Sequence, residues 1–414
     1  MNFPDKYRVL LMVWLLQFVN YLDRINLSIA APTMMKELSI SPGLFGFVLA
    51  AFTFGYAVAQ IPGGALADRF GAKCMLIVSP VLWSFFTGAT GFVSTVLALI
   101  VVRVLFGFSE GLSNGASFKS IGDYFPPQER STANGAYLSA LALGPAFVAP
   151  IAVWFLIHTG WQGMFRWLAL PGLAMAVLVV FLIPSAKAPR PFAAADSAES
   201  ASHSGSGSGF GEVMRLPRSW IIFTAYLAFN IAFWGYLGWM PSYLSMARHI
   251  DIKTLGFAAS IPYFAGTVGM FVFGWLGSTV LYRQRCVLIA AIYLCTAVCL
   301  YVTYNVDSAF NSIIGLSAAG FFLYGGFGPL WSVVLDLTPE TSRGAFSGFV
   351  NCGGQIGGFF APIVVGWIVG KTASFTGGFI FMNVALAVAA VCFLLLHTLM
   401  RSQQPTALAS GRTA

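Results

Sequence analysis

Residues 8–35 read RVLLMVWLLQFVNYLDRINLSIAAPTMM, an apolar run that carries an acid and a base, Asp23 and Arg24, side by side near its middle. About 20 apolar residues cross a hydrocarbon layer roughly 30 Å thick as a helix, so the run is long enough for one crossing. It is too long and too polar at its centre for a signal peptide, and no small-residue cleavage site follows it. It reads as a retained first span with an ion pair of residues in the wrong solvent.

The same length recurs along the chain. Of its 414 residues 58% are hydrophobic and 9% charged, against roughly 25% charged in a soluble domain. Twelve apolar runs stand out, at about 8–32, 43–66, 74–95, 98–120, 131–157, 163–184, 219–246, 254–281, 286–305, 309–335, 343–370 and 375–399. They predict an all-α polytopic membrane protein with twelve transmembrane helices. The net charge of +8 reports topology and not a nucleic-acid partner. With the N-terminus in the cytoplasm, fifteen of the 22 Lys and Arg fall on that side, five outside, and Arg24 and Arg103 within helices. This positive-inside bias places both termini in the cytoplasm of a cell (inner) membrane protein.

The stretch SAKAPRPFAAADSAESASHSGSGSGFGE, residues 185–212, is too poor in apolar residues to order itself and reads as a flexible linker. It divides the chain into a six-helix half (1–184), a cytoplasmic linker (185–218), a second six-helix half (219–400) and a tail (401–414). The halves resemble each other. DYFPPQERSTANG follows span four and DLTPETSRGAFSG follows span ten, so that Asp123, Pro126, Arg130 and Gly135 recur 213 residues later as Asp336, Pro339, Arg343 and Gly348. Each copy continues to an Ala-Pro, at 149–150 and 361–362. Duplicated halves imply a central site near the membrane midplane, about which the halves rock.

Two motifs narrow the architecture. The loop GGALADRFGAK, residues 63–73, resembles the signature loop of the major facilitator superfamily, with Gly64, Leu66, Asp68, Arg69, Gly71 and Lys73 at its spacing. Gly64 and Gly71 let backbones pass closely, and Asp68 suits the positive N-terminus of a neighbouring helix. Together with Arg69 and Lys73 it would act as a gate on the cytoplasmic side. The second-half counterpart, GWLGSTVLYRQR, has Ser278 where the Asp would fall. NYLDRINLSIAAP (20–32) resembles the first helix of the anion:cation symporter family within that superfamily, as do RVLFGFSEG (103–111), GWMPSYL (238–244) and FVNCGGQIGGFFAPIVVG (349–366). The resemblance covers essentially the whole chain. It implies two pseudo-symmetric six-helix halves and transport of sugar acids or other organic anions with protons. It also implies that the residues matching Arg24, Asp23 and Glu110 act in anion binding and proton coupling.

Four charged side chains lie inside the expected membrane: Asp23, Arg24, Arg103 and Glu110. Each costs about 2.5–3.5 kcal/mol at a helix centre on insertion scales, a burden that two cations and two anions can relieve. Arg103 and Glu110 are seven residues apart and share a face, whereas Asp23 and Arg24 diverge by about 100°. One scheme pairs Asp23 with Arg103 and leaves Arg24 facing the cavity within reach of Glu110. A guanidinium never loses its proton and offers a carboxylate two parallel hydrogen bonds. A substrate carboxylate that takes Arg24 from a protein acid leaves that acid to hold a proton, so anion and proton bind together. The proton gradient then supplies the energy, and no cofactor or metal is required.

Around this core, Tyr21 and Ser28 share the Arg24 stripe. Tyr56, Asn230, Trp234, Asn351 and Gln355 are further candidates for the substrate cavity, since an amide in hydrocarbon needs a partner. Where similar sugar-acid members carry Gln in spans five and seven, this chain has Ala136 and Tyr226. Fewer amides and more aromatic surface suit a less hydroxylated acid, an aromatic one included. The expected function is therefore proton-coupled uptake of an organic carboxylate such as a hexuronate, aldonate, glucarate or aromatic acid, by a monomer in the lipid bilayer. A proton antiporter that exports small molecules is the nearest alternative, because ALALGPAFVAP (140–150) has the Gly-Pro of such exporters but lacks the glycine pair that follows it. An enzyme is not expected: His158, His203, His249 and His397 are scattered, and the six cysteines read as packing residues.

Overall fold

A computed structural model describes residues 4–184, 215–337 and 343–402. Helices α1 (Asp5–Glu37), α2 (Pro42–Phe70), α3 (Ala72–Thr90), α4 (Val96–Tyr124), α5 (Pro127–Leu168) and α6 (Leu170–Leu182) form the first half. The second consists of α7 (Pro217–Ser242), α8 (Ile252–Ser278), α9 (Arg285–Asn305), α10 (Ala309–Gly325), α11 (Phe327–Asp336), α12 (Arg343–Thr372) and α13 (Thr376–Ser402). The expected linker lies almost entirely outside the described residues, and α7 starts two residues before the predicted boundary.

Ten helical segments among the described residues are long and apolar enough to cross a bilayer. One of them, Thr132–Leu182, has 51 residues, enough for two crossings, and it breaks at Gly160, whose φ of 68° is open to glycine without strain. The twelfth crossing is α1, 33 residues long, whose polar centre dilutes its hydropathy. Span ten is shared by α10 and α11, joined at Gly326. Twelve crossings return the chain to the membrane face where α1 begins, here the terminal face.

Four of the helices that start at the opposite face do so on capping side chains. Ser41, Thr95, Asp251 and Ser308 accept from the first-turn backbone N–H groups of α2, α4, α8 and α10, each satisfying a donor the helix leaves free. Within the halves, small residues bring backbones together. A Cβ on Gly107 of α4 would run into the Phe52 carbonyl of α2, and one on Gly320 of α10 into the Pro262 carbonyl of α8. These glycines stand 213 residues apart, so the repeat is written into the packing as well as the motifs. Gly353, Gly354, Gly357 and Gly358 of α12 likewise face α7, against Phe223, Tyr226, Leu227 and Trp234.

The halves meet through α2 with α12, α5 with α8, and α1 with α7. Contact is tightest toward the face opposite the termini, where a Cβ on Gly46 would lie 2.5 Å from the Pro362 oxygen and one on Gly366 2.5 Å from the Pro42 oxygen. Trp239 Nε1 donates to the same Pro362 oxygen at 3.1 Å. Gly256 of α8 sits against Pro150 of α5, the proline of the first Ala-Pro. That face is closed.

Candidate anion and proton site

α1 and α4 run antiparallel, and the turn of each helix that carries charge comes level with the other. Arg24 Nε donates to Glu110 Oε2 at 2.9 Å, with the two side chains 4% and 0% exposed. The pair forms because neither ion has water: mutual attraction and a charge-assisted hydrogen bond replace lost hydration. The guanidinium also lies against three rings, 4.4 Å from Tyr21, 4.7 Å from Tyr56 and 4.9 Å from Phe52. A desolvated cation over an aromatic face gains about 2 kcal/mol or more. Phe52 and Tyr56 stand one turn apart on α2 and so present a continuous aromatic wall.

Asp23 and Arg103 do not pair. Among the described residues they form no ion pair, which overturns the expected scheme for these two. Asp23 Oδ1 accepts from Asn26 Nδ2 of its own helix at 3.2 Å, while Asp23 Oδ2 has no partner. Arg103 packs its guanidinium on Phe106 at 4.4 Å, and its Nε is unpartnered. The physical reason is rotation: once α1 turns Arg24 onto Glu110, Asp23 points about 100° away and finds the amide one turn on. Four buried charges thus make one closed pair and two incompletely satisfied ions. The carboxylate oxygen Glu110 Oε1 is open as well.

The second half supplies neutral groups. Trp234 of α7 brings its ring 6.2 Å from that of Phe52, so it reaches the wall behind Arg24 from across the interface. Asn351 of α12 donates to Gln60 Oε1 of α2 at 3.0 Å, and Gln60 Nε2 and Gln355 Oε1 remain unpartnered. Asn230 is turned onto its own helix, donating to the Tyr226 carbonyl at 2.8 Å, and lies against Gly354. Tyr226, at the position expected to hold an amide, stacks edge-on with Trp331 at 5.4 Å. Ser28 is buried.

In the signature loop Asp68 pairs with Lys119 of α4, a partner the motif alone does not name. Lys73 donates to the carbonyls of Val180 and Ile183 at 2.9 and 2.6 Å, closing the C-terminal end of α6, where unsatisfied carbonyls favour a cation. Gly71 has φ 88° and makes the sharp break between α2 and α3; Gly64 has open space around it, and Arg69 rests on Phe70 at 5.3 Å. The second half has a counterpart pair of reversed sign, Arg285 to Asp336 at 2.6 Å.

Sequence reading missed Phe52, Gln60 and the amides Asn20 and Asn26. A phenylalanine in an apolar helix carries no signal of its own. The amides of α1 do: Gln17, Asn20 and Arg24 recur at three and four residues, one stripe of the helix.

Comparison with known proteins fits this architecture. A family model described as Major Facilitator Superfamily matches residues 13–362. The chain belongs to the Major Facilitator Superfamily. It is 30% identical over 387 residues to a hexuronate transporter of Bacillus subtilis, covering 91% of each chain. It is 30% identical to the probable sulfoacetate transporter SauU of Cupriavidus necator, covering 97% of this chain and 96% of that one. It is 31% identical to the probable galactarate/D-glucarate transporter GudP of Escherichia coli, with 94% and 93% covered. A solved bacterial homologue of the human lysosomal transporter Spinster, inward-facing and occupied, superposes with a TM-score of 0.74 at 16% identity over 99% of both chains. A D-xylose–proton symporter gives 0.73 at 16% identity, covering 94% and 97%. As a member of this superfamily the chain is a multi-pass membrane transporter and not an enzyme.

Proposed function

We propose that the protein takes up an organic carboxylate anion together with protons, by alternating access about the Arg24–Glu110 pair. The observation that carries this reading is that a permanent cation is buried against a protein carboxylate whose second oxygen has no partner. A ligand carboxylate competes with Glu110 for the guanidinium. The displaced Glu110 is then an uncompensated charge in a dry site, which it relieves by holding a proton. Reorientation is cheap when both anion and proton are aboard, or neither. Asp23, the second incompletely satisfied acid, and Arg103 complete the proton-coupling set. Tyr21, Tyr56, Trp234, Asn351 and Gln355 line the anion's side. The Asp68–Lys119 pair, with Arg69, Lys73 and the turn at Gly71, gates the terminal face.

With both termini in the cytoplasm of the inner membrane, the closed face is the outer one, as expected of a monomer whose site is reached from the inside. The wall of Tyr21, Phe52, Tyr56, Trp234 and Tyr226, with Ala136 in place of an amide, favours a carboxylate with few hydroxyls. The relative named above as a probable sulfoacetate transporter is consistent with that preference. The test is uptake into proteoliposomes under an imposed pH gradient, screening glucuronate, glucarate, galactonate, sulfoacetate and benzoate. Accumulation that follows the inward proton gradient is expected, strongest for the hydroxyl-poor acids. Accumulation driven by the opposite gradient identifies an antiporter and overturns the proposal.

A further inference from the structure

Between the Arg24–Glu110 pair and the terminal face, the first half holds a column of polar side chains that anion binding does not use. On α1, Asn20 and Gln17 stand one and two turns before Arg24, which places them about 6 and 10 Å nearer the terminal face. On α4, which runs toward that face, Asn114 is one turn beyond Glu110. Tyr137 of α5, fully buried, joins the two helices: its hydroxyl lies 2.8 Å from Gln17 Oε1 and 3.4 Å from Asn114 Oδ1. One hydroxyl proton cannot serve both amide oxygens at once, and the lone pairs of Tyr137 Oη stay available.

Three acceptors along this line have no protein partner: Glu110 Oε1, Asn20 Oδ1 and, one turn from Tyr137, Asn134 Oδ1. Polar side chains that only glue helices together satisfy each other. Here each unpaired acceptor is unfavourable unless it is hydrated, and polar niches of this kind hold ordered water. Asn114 and Asn134 are only half-buried; an amide open to hydrocarbon is unfavourable, so their open sides face water. The column therefore runs from a fully buried carboxyl group to hydrated amides.

We propose that this column is the exit route of the coupled proton, with water held by Asn20 and Asn114 and the Tyr137 hydroxyl, fixed by Gln17, as a relay. The inference rests on the symport reading above. The carboxyl group of Glu110 gives its proton to the adjacent water, and that water passes one of its own to the next oxygen. Tyr137 accepts on a lone pair and releases its hydroxyl proton onward, so every relay oxygen ends as it began. One proton leaves at the terminal face, and the Glu110 carboxylate returns to Arg24. The other charged groups around Glu110 are Asp23 and Arg103. Tyr137 carries the proton, whereas Asn20, Asn114 and Gln17 are positioning residues, and none of the four needs to touch the anion.

The experiment separates net uptake, which requires the proton to leave, from counterflow exchange, in which the loaded carrier returns without releasing it. Proteoliposomes take up whichever of glucuronate, glucarate and sulfoacetate the wild type accumulates most, with a pH-sensitive dye trapped inside. Tyr137→Phe, which removes one oxygen, should slow gradient-driven uptake and internal acidification about tenfold while exchange keeps the wild-type rate. Gln17→Met, which releases the hydroxyl but fills the same space, should give the same split. Unchanged net uptake in both variants, or equal loss of uptake and exchange in both, overturns the route. Wild-type uptake indifferent to the pH gradient overturns the symport reading itself and so is a distinct result.

Discussion

The two halves repeat one packing plan and differ in where they place charge. All four intramembrane charges, Asp23, Arg24, Arg103 and Glu110, are in the first half, and the buried polar residues described in the second, such as Asn230, Ser260 and Thr296, are all neutral. The second half instead stacks rings: Phe233 packs against Trp234, Tyr324 and Phe327 with centroids 5.0–5.8 Å apart. Burying an ion is costly and its cost changes with every proton, whereas an aromatic cluster is indifferent to pH. Under the proposed function, charge in one half and shape in the other would let the coupling chemistry stay fixed while the opposite wall adapts to the ligand.

The largest effect should come from the charged half. Arg24→Ala leaves Glu110 buried without its cation, a loss of about 3–5 kcal/mol, and should abolish both anion binding and exchange in vesicles. Arg24→Lys should not restore them, because a point charge lacks the planar fork. Next, Glu110→Gln should eliminate accumulation against a gradient but keep exchange; a variant that still accumulates like wild type breaks the assignment of the proton to this half. In the neutral half, Asn351→Leu removes the bond to Gln60 and should raise the KM about tenfold, the equivalent of roughly 1.4 kcal/mol, with pH dependence unchanged. A shifted pH profile in that variant would mean the two halves share the proton task. Smallest are the clamps: Lys119→Ala and Asp336→Ala each remove an exposed pair worth about 0–1 kcal/mol, so rates should change less than about fivefold and the change should shrink as salt rises.

Those clamps also show how far sequence reading reaches. The twelve crossings, the duplication and the loop GGALADRFGAK are local or periodic signals, and each is legible from spacing alone. Arg24 facing Glu110 follows from two antiparallel helices with charge at matching depth. The separation of Asp23 from Arg103 does not, because the rotation of α1 about its axis is set by packing on α4 and α5, which no single helix records. The partner of Asp68 is equally hidden: Lys119 is 51 residues away, and Asp336 stands at the same distance from Arg285 with the signs exchanged. A motif marks where a contact is wanted and leaves open which element answers.

The closed face carries a consequence for handling the protein. Gly46, Gly366 and Gly256 let one backbone rest directly on another, so the halves part there by sliding two smooth surfaces, with few side chains to withdraw. Such a seam is easily wedged. Gly46→Leu would set a bulky group against the Pro362 carbonyl and force that rim apart, locking the carrier with its mouth turned the other way. Cysteine labelling at neighbouring positions on that face would then report the trapped form, and the wedge would give structural work a handle on the opposite half of the cycle.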